Sequence, residues 1–167
     1  MLNKELATIY GYVKMPNHVR LIWRMHQQNG KESVGSSFAK FTAHWFKRIL
    51  QLSNPDLLND FISTKRDRNY QFWKRDPLAI PLSTLSIFEQ KLAYIHNNPI
   101  QEKWKLSNSP EEYRWSSVQF YKTVYDEFNF LAKFMGIEVF RSVRTPADRG
   151  KGLLLHKSVI GSVKNYK

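Results

Sequence analysis

Not one cysteine occurs among the 167 residues, which rules out disulfides, thiolate metal sites and cysteine nucleophiles. Long apolar runs are missing as well. No stretch approaches the roughly 20 residues of a membrane-crossing helix, and the first residues lack the hydrophobic core of a secretory signal. A cytoplasmic protein is the expectation. Acidic residues are scarce: 14 Asp and Glu stand against 26 Lys and Arg, for a net charge of +12 and a pI near 9.9. Such an excess favours a polyanionic partner, of which nucleic acid is the usual one, over mere solubilising charge. No stretch sets its basic residues opposite a clean apolar face, which argues against a membrane-surface role.

What the chain does contain is enough for one domain with a real core. Apolar residues make up 42% of it, with 11 Phe, 8 Tyr and 5 Trp, the composition of a folded protein rather than a disordered tail. Ile9 to Met15 reads as a strand, with Ile9, Gly11 and Val13 alternating against Tyr10, Tyr12 and Lys14. Pro16-Asn17 pinches the chain, and His18 to Met25 is its expected antiparallel partner. His18 opens that second run and Arg20 must share its face, since strand side chains repeat every second residue. The polar segment around Asn29-Gly30 is a loop. From about Ser33 to Leu52, Val34, Phe38, Phe41, Trp45, Ile49 and Leu52 recur at steps of three and four, one apolar stripe of a helix with Lys40, Lys47 and Arg48 off it. Asn54-Pro55 breaks this helix. Ser83 or Thr84 can cap a second one running to about Asn98, with Leu85, Phe88, Leu92 and Ile95 on its buried side and Pro99 ending it. No internal repeat or low-complexity stretch occurs.

Two constellations carry chemistry. Lys65-Arg66-Asp67-Arg68-Asn69-Tyr70-Gln71-Phe72-Trp73-Lys74-Arg75 is the densest interleaving of basic and aromatic residues. Cations of this kind neutralise phosphates while flat rings stack on unpaired bases. The alternative is a strand with one of the neighbouring rings Phe72 and Trp73 in the core, because strand neighbours face opposite ways. In the second helix, Tyr94 and Asn98 are four residues apart and so share a face. Each has a plainer role open to it, Tyr94 as a core residue with its hydroxyl at the rim and Asn98 as a helix terminator. His44 and His96 read as structural or surface residues.

Three stretches taken together, Tyr12 to Trp23 with Met15-Pro16-Asn17-His18, the Phe72-Trp73 block, and Tyr94-Ile95-His96-Asn97-Asn98-Pro99 followed by Glu112 to Ser117, resemble the HUH-type, single-tyrosine transposases, in particular the branch associated with repetitive extragenic palindromes. The resemblance runs over roughly residues 8 to 136, leaving 137–167 as a C-terminal extension of unknown role. It implies an α+β, ferredoxin-like fold with helices packed on an antiparallel sheet. It also implies DNA transposition, in which a tyrosine attacks single-stranded DNA, forms a covalent phosphotyrosine and transfers the strand, with Mg²⁺ or Mn²⁺ as cofactor. It further implies that basic surfaces grip hairpins in the DNA, and that the protein, a monomer or homodimer, associates with the nucleoid when DNA-bound. Position by position, Tyr94 matches the nucleophile, and His18 and Asn98 match metal ligands. Arg20, Lys65, Arg66, Arg68, Trp73, Lys74 and Arg75 are the expected DNA contacts.

The pattern breaks at two places. Arg20 stands where the family has a second histidine. A guanidinium stays protonated and has no lone pair to give a metal, although it can grip a phosphate directly. Impaired metal binding and cleavage are therefore expected. Only about eight residues precede the Tyr10-Gly11-Tyr12-Val13 strand, where the family carries a further strand and helix, so a missing first strand and helix is also expected. A non-catalytic, domesticated module that binds hairpin DNA or RNA is the alternative function.

Overall fold

The computed structural model describes residues 6–74, 78–134 and 153–159. They build an α+β fold around a four-stranded antiparallel sheet. Strand β1 (Ala7–Met15) and β2 (His18–Met25) form the expected hairpin, closed by Pro16-Asn17 with Met15 opposite His18. Helix α1 (Val34–Ser53) and the short α2 (Pro55–Asn59) follow, then β3 (Leu78–Pro81), α3 (Leu85–His96) and α4 (Val118–Thr123). Strand β4 (Leu153–Val159) completes the sheet in the order β1-β2-β4-β3. It pairs with β2 from His18 to Arg24 and bridges to β3. Part of the segment set apart in the sequence as an extension is thus a strand of this sheet. No helix among the described residues is long and apolar enough to cross a membrane.

The hairpin buries both faces, and a bulge divides its first strand between them. Ile9 lies opposite Trp23 and Gly11 opposite Ile22, so Tyr10 is one residue too many for the ladder. Before the bulge, Ala7 and Ile9 pack with Leu21, Trp23 and Val34 on the α1 side. After it, Val13 and Met15 join Tyr10, Ile22, Phe88 and Ile95 on the α3 side. The alternation read from the sequence is corrected here: Ile9 does not share a face with Val13, because a one-residue insertion inverts every side chain beyond it. Gly11 lies under α3, and a Cβ there would come within 2.7 Å of Leu92 Cδ1. Its missing side chain is what lets the helix sit close to the sheet.

Side-chain caps start the helices where the sequence indicated. Ser33 Oγ accepts from Ser36 N at 3.1 Å ahead of α1, and Thr84 Oγ1 accepts from Ile87 N at 3.2 Å ahead of α3. Leu85, expected on the buried side of α3, is exposed in its first turn, while Phe88 and Ile95 are buried. A larger correction concerns α1. Val34 and Phe38 pack against the cluster around Trp23, and Ala43, Phe46 and Leu50 pack against Leu58, Phe61 and Phe72. Phe41, Trp45, Ile49 and Leu52 are left 54%, 48%, 50% and 81% exposed. The stripe read from the sequence is covered only at its N-terminal end, because beyond Phe38 the helix buries a different arc.

Candidate nucleic-acid interface

The hairpin register sets His18 and Arg20 on the α3 side of β2, with Ile22 two residues further on in the core of that side. His18 is buried. Its Nδ1 lies 2.7 Å from Asn17 Oδ1, and Arg20 Nε donates to its Nε2 at 3.3 Å. Because a guanidinium only donates, Nε2 must be the acceptor, and the proton belongs on Nδ1 facing Asn17. The same guanidinium lies over the Tyr94 ring, its Cζ 4.7 Å from the centroid, a cation–π distance. Asn17, His18, Arg20 and Tyr94 therefore form one chain of contacts from the hairpin turn to α3.

More side chains converge here than the sequence indicated. Lys91, one turn before Tyr94, puts its Nζ 6.0 Å from the same ring. The Trp104 ring packs 5.8 Å from that of His18, with Lys103 Nζ 5.5 Å from the indole. Tyr94 is exposed and Trp104 half-buried, so both rings present surface beside Arg20, Lys91 and Lys103. Local sequence gives no sign of Trp104, because only the turn after α3 brings it back to β2. Its backbone N–H donates to Gln101 O at 2.8 Å within that turn.

Four other tyrosines differ. Tyr113 donates its hydroxyl to Lys14 O at 2.7 Å, and Tyr121 donates to Tyr10 O at 2.6 Å. Burial raises the pKa of Tyr10, Tyr113 and Tyr121 above the ordinary value. Tyr12 is pushed up to about 12 by burial, with help from Asp126 and Glu127. Such phenols are poor candidates for losing a proton. Tyr94 has its ring under a guanidinium instead.

Asn98 sits one turn beyond Tyr94, at the start of the 3₁₀ turn Asn98–Ile100. It is only 2% exposed, and its Nδ2 has no hydrogen-bond partner. Asn97 provides the C-cap of α3, which separates Asn98 from the plain role of helix terminator. A divalent cation does not fit this set of donors as arranged. The His18 Nε2 lone pair is engaged by Arg20, Arg20 has none to offer and repels a cation, and no group of three or more His, Asp or Glu side chains gathers among the described residues.

The basic–aromatic block is a loop rather than a strand. Phe61 O accepts from Gln71 N at 2.8 Å and Asn69 O accepts from Ser63 N at 2.9 Å, which places exposed Lys65 and Arg66 at the tip. Arg68 is held by Asp67, Nε to Oδ1 at 3.0 Å. Phe72 and Trp73 both turn inward, contrary to the one-in, one-out expectation of a strand. Phe72 stacks 4.7 Å from Phe61, and the Trp73 indole packs 5.7 Å from Phe46 and donates to Thr42 Oγ1 at 2.8 Å. Trp73 is thus tied to α1. Lys74 is exposed, and Arg75 lies outside the described residues.

His96, read as structural or surface, is structural. It is buried at the end of α3 with Nε2 2.8 Å from Ser117 Oγ, which in turn accepts from Tyr12 N at 2.9 Å. Desolvation lowers the His96 pKa to about 4, against a smaller opposing pull from Glu111. This neutral contact fastens α3 and the 113–117 segment to β1 just beyond the bulge.

Comparison of the chain with protein-family models, curated proteins and solved structures finds no match.

Proposed function

We propose that the chain is a DNA-binding protein of the HUH-type, single-tyrosine transposase family, suited to holding single-stranded, hairpin-flanked DNA and impaired in cutting it. The observation that carries this reading is the place of Arg20, bonded to His18 Nε2 at 3.3 Å and lying 4.7 Å over Tyr94. Support for the family comes from Met15-Pro16-Asn17-His18 and Tyr94 to Pro99, strings distant in sequence that meet through this arginine. An antiparallel sheet with helices packed on it is compatible with a ferredoxin-like arrangement.

A phosphate reaching Tyr94 meets a guanidinium oriented by His18 through Nε, with its Nη groups left to donate to phosphate oxygens. Lys91 and Lys103 add positive charge, and the exposed faces of Tyr94 and Trp104 offer platforms for unpaired bases. Attack by the Tyr94 hydroxyl requires both loss of its proton and stabilisation of charge on the phosphate. The divalent cation that supplies these in the family would compete with Arg20 for His18. Retention without cleavage follows.

Titration of labelled, hairpin-flanked single-stranded DNA, with a parallel search for a denaturation-resistant protein–DNA adduct in Mg²⁺ or Mn²⁺, tests the reading. Wild type is expected to bind with an affinity that falls steeply with salt and to give no adduct. Arg20→Ala is expected to weaken binding about tenfold, the scale of a lost charge-assisted hydrogen bond. Arg20→His is expected to restore a metal-dependent adduct that Tyr94→Phe abolishes. Ordinary cleavage by wild type would overturn the proposal. Intact binding with no adduct from Arg20→His would favour the second reading, a non-catalytic module for hairpin DNA or RNA.

A further inference from the structure

Helix α1 exposes Phe41, Trp45, Ile49 and Leu52 at steps of four, four and three residues, so the four side chains run as one strip along the helix. Large apolar side chains left about half exposed in a row reach the scale of a few hundred Å² that marks an interaction surface. The strip is separate from the Tyr94 site and takes no part in the proposed function. Its spacing matches the seam by which one helix receives another, and its two aliphatic members, Ile49 and Leu52, suit an apolar seam better than a stack of bases.

Charge decides what kind of helix fits. His44 and Arg48 lie beside the strip by helical position, and α1 carries Lys40, Lys47 and Arg48 with no acidic residue over its whole length. Lys40 already pairs with Glu32, just ahead of the helix, and Lys47 lies 5.3 Å from the Tyr70 ring. Arg48 has no such neighbour among the described residues. Packing α1 against its counterpart in a second copy would bring the two Arg48 side chains into one interface, with no carboxylate on either helix to offset them. A partner flanked by carboxylates turns that repulsion into attraction.

We propose that the Phe41–Leu52 strip is the docking face for an amphipathic helix of another protein whose apolar seam is bordered by acidic residues. The probe is a fluorescein-labelled synthetic helix of about 18 residues with Leu and Ile at heptad seam positions and Glu in the flanks, titrated against the full chain by anisotropy. A second peptide with the same seam and Lys flanks is the control. The Glu-flanked peptide is expected to bind at least tenfold tighter than the control. Trp45→Glu is expected to weaken it at least tenfold with an unchanged far-UV circular dichroism spectrum, and Arg48→Glu to narrow or invert the preference between the peptides. Equal binding of the two peptides, or binding of neither by folded protein, would overturn the proposal. So would a dimer in sedimentation that Trp45→Glu dissociates, which would assign the strip to a second copy. Loss of oligo-dT affinity on Trp45→Ala would assign it to nucleic acid and equally overturn it. Because the DNA test turns on Arg20 and Tyr94, either proposal can fail without the other.

Discussion

Helices α1 and α3 pack on opposite faces of the same hairpin, and they use their apolar residues differently. Helix α3 has twelve residues and a narrow stripe. Phe88 and Ile95 go into the core with Val13, Met15 and Ile22, and the outward Tyr94 comes under the cations Arg20 and Lys91. Helix α1 has twenty residues and packs on two clusters in turn, first around Trp23 and then around Phe61 and Phe72. These contacts lie on different arcs of the helix, Val34 and Phe38 on one, Ala43, Phe46 and Leu50 on the other. The apolar stripe follows the first arc along the whole helix, so its C-terminal part faces outward where the helix turns its other arc to the second cluster. An apolar periodicity identifies a helix reliably, but only the tertiary partners determine which arc is covered at each end.

The largest effect is expected where α3 meets the sheet. Ile95 is 0% exposed and lies among Val13, Ile22 and Phe88, so Ile95→Ala removes buried methyl groups and leaves a cavity. A loss of roughly 2–5 kcal/mol is expected, measurable by urea unfolding as a fall in midpoint with an unchanged slope. A loss below about 1 kcal/mol would mean that the α3 face of the hairpin is not close-packed in solution.

Next comes the pH dependence of the same interface. His96 is buried and its pKa falls from 6.5 in the unfolded chain to about 4 in the fold. Between these values the unfolded state binds the extra proton, so stability rises with pH through that window. The full contribution is present above about pH 6.5 and is lost as the pH falls toward 4. The difference corresponds to roughly 3 kcal/mol. Thermal unfolding at pH 7.5 and 4.5 checks this against His96→Gln, which cannot titrate. The variant is expected to lose much less stability between the two pH values than wild type, and equal losses would place the acid sensitivity elsewhere.

These contacts also mark how far the sequence could be read. The hairpin, the shared face of His18 and Arg20, and both helix caps were legible because they rest on local rules: period two in strands, turn residues at Pro16-Asn17, hydroxyl caps at Ser33 and Thr84. The Tyr10 bulge was not, since one inserted residue leaves no mark in a run of apolar side chains. The pairing of Leu153–Val159 with β2 and β3 was hidden for another reason: it joins segments far apart in the chain, more than a hundred residues in the case of β2, and a strand's partner is not written in its own pattern. Trp104, Lys91 and Lys103 become neighbours of Tyr94 and His18 only through α3 and the turn after it. The inward packing of Trp73 follows from a loop where a strand would have turned one ring outward.

The smallest effect is expected for the substitution made at Ile95, moved to α1. Ile49 is 50% exposed, so truncation to Ala forfeits about half of the 1.5–3 kcal/mol that full burial of such a side chain is worth. Ala is also the better helix former, by a few tenths of a kcal/mol, because a β-branched side chain loses rotamer freedom against the preceding turn. With these opposing contributions, Ile49→Ala is expected to change stability by no more than about 1 kcal/mol in dilute solution. The identical substitution thus separates the covered face of one helix from the open face of the other. A loss comparable to that of Ile95→Ala would show that the strip is covered in the isolated protein. Dependence of that loss on protein concentration would then identify the cover as a second copy, since only an intermolecular contact makes stability follow mass action.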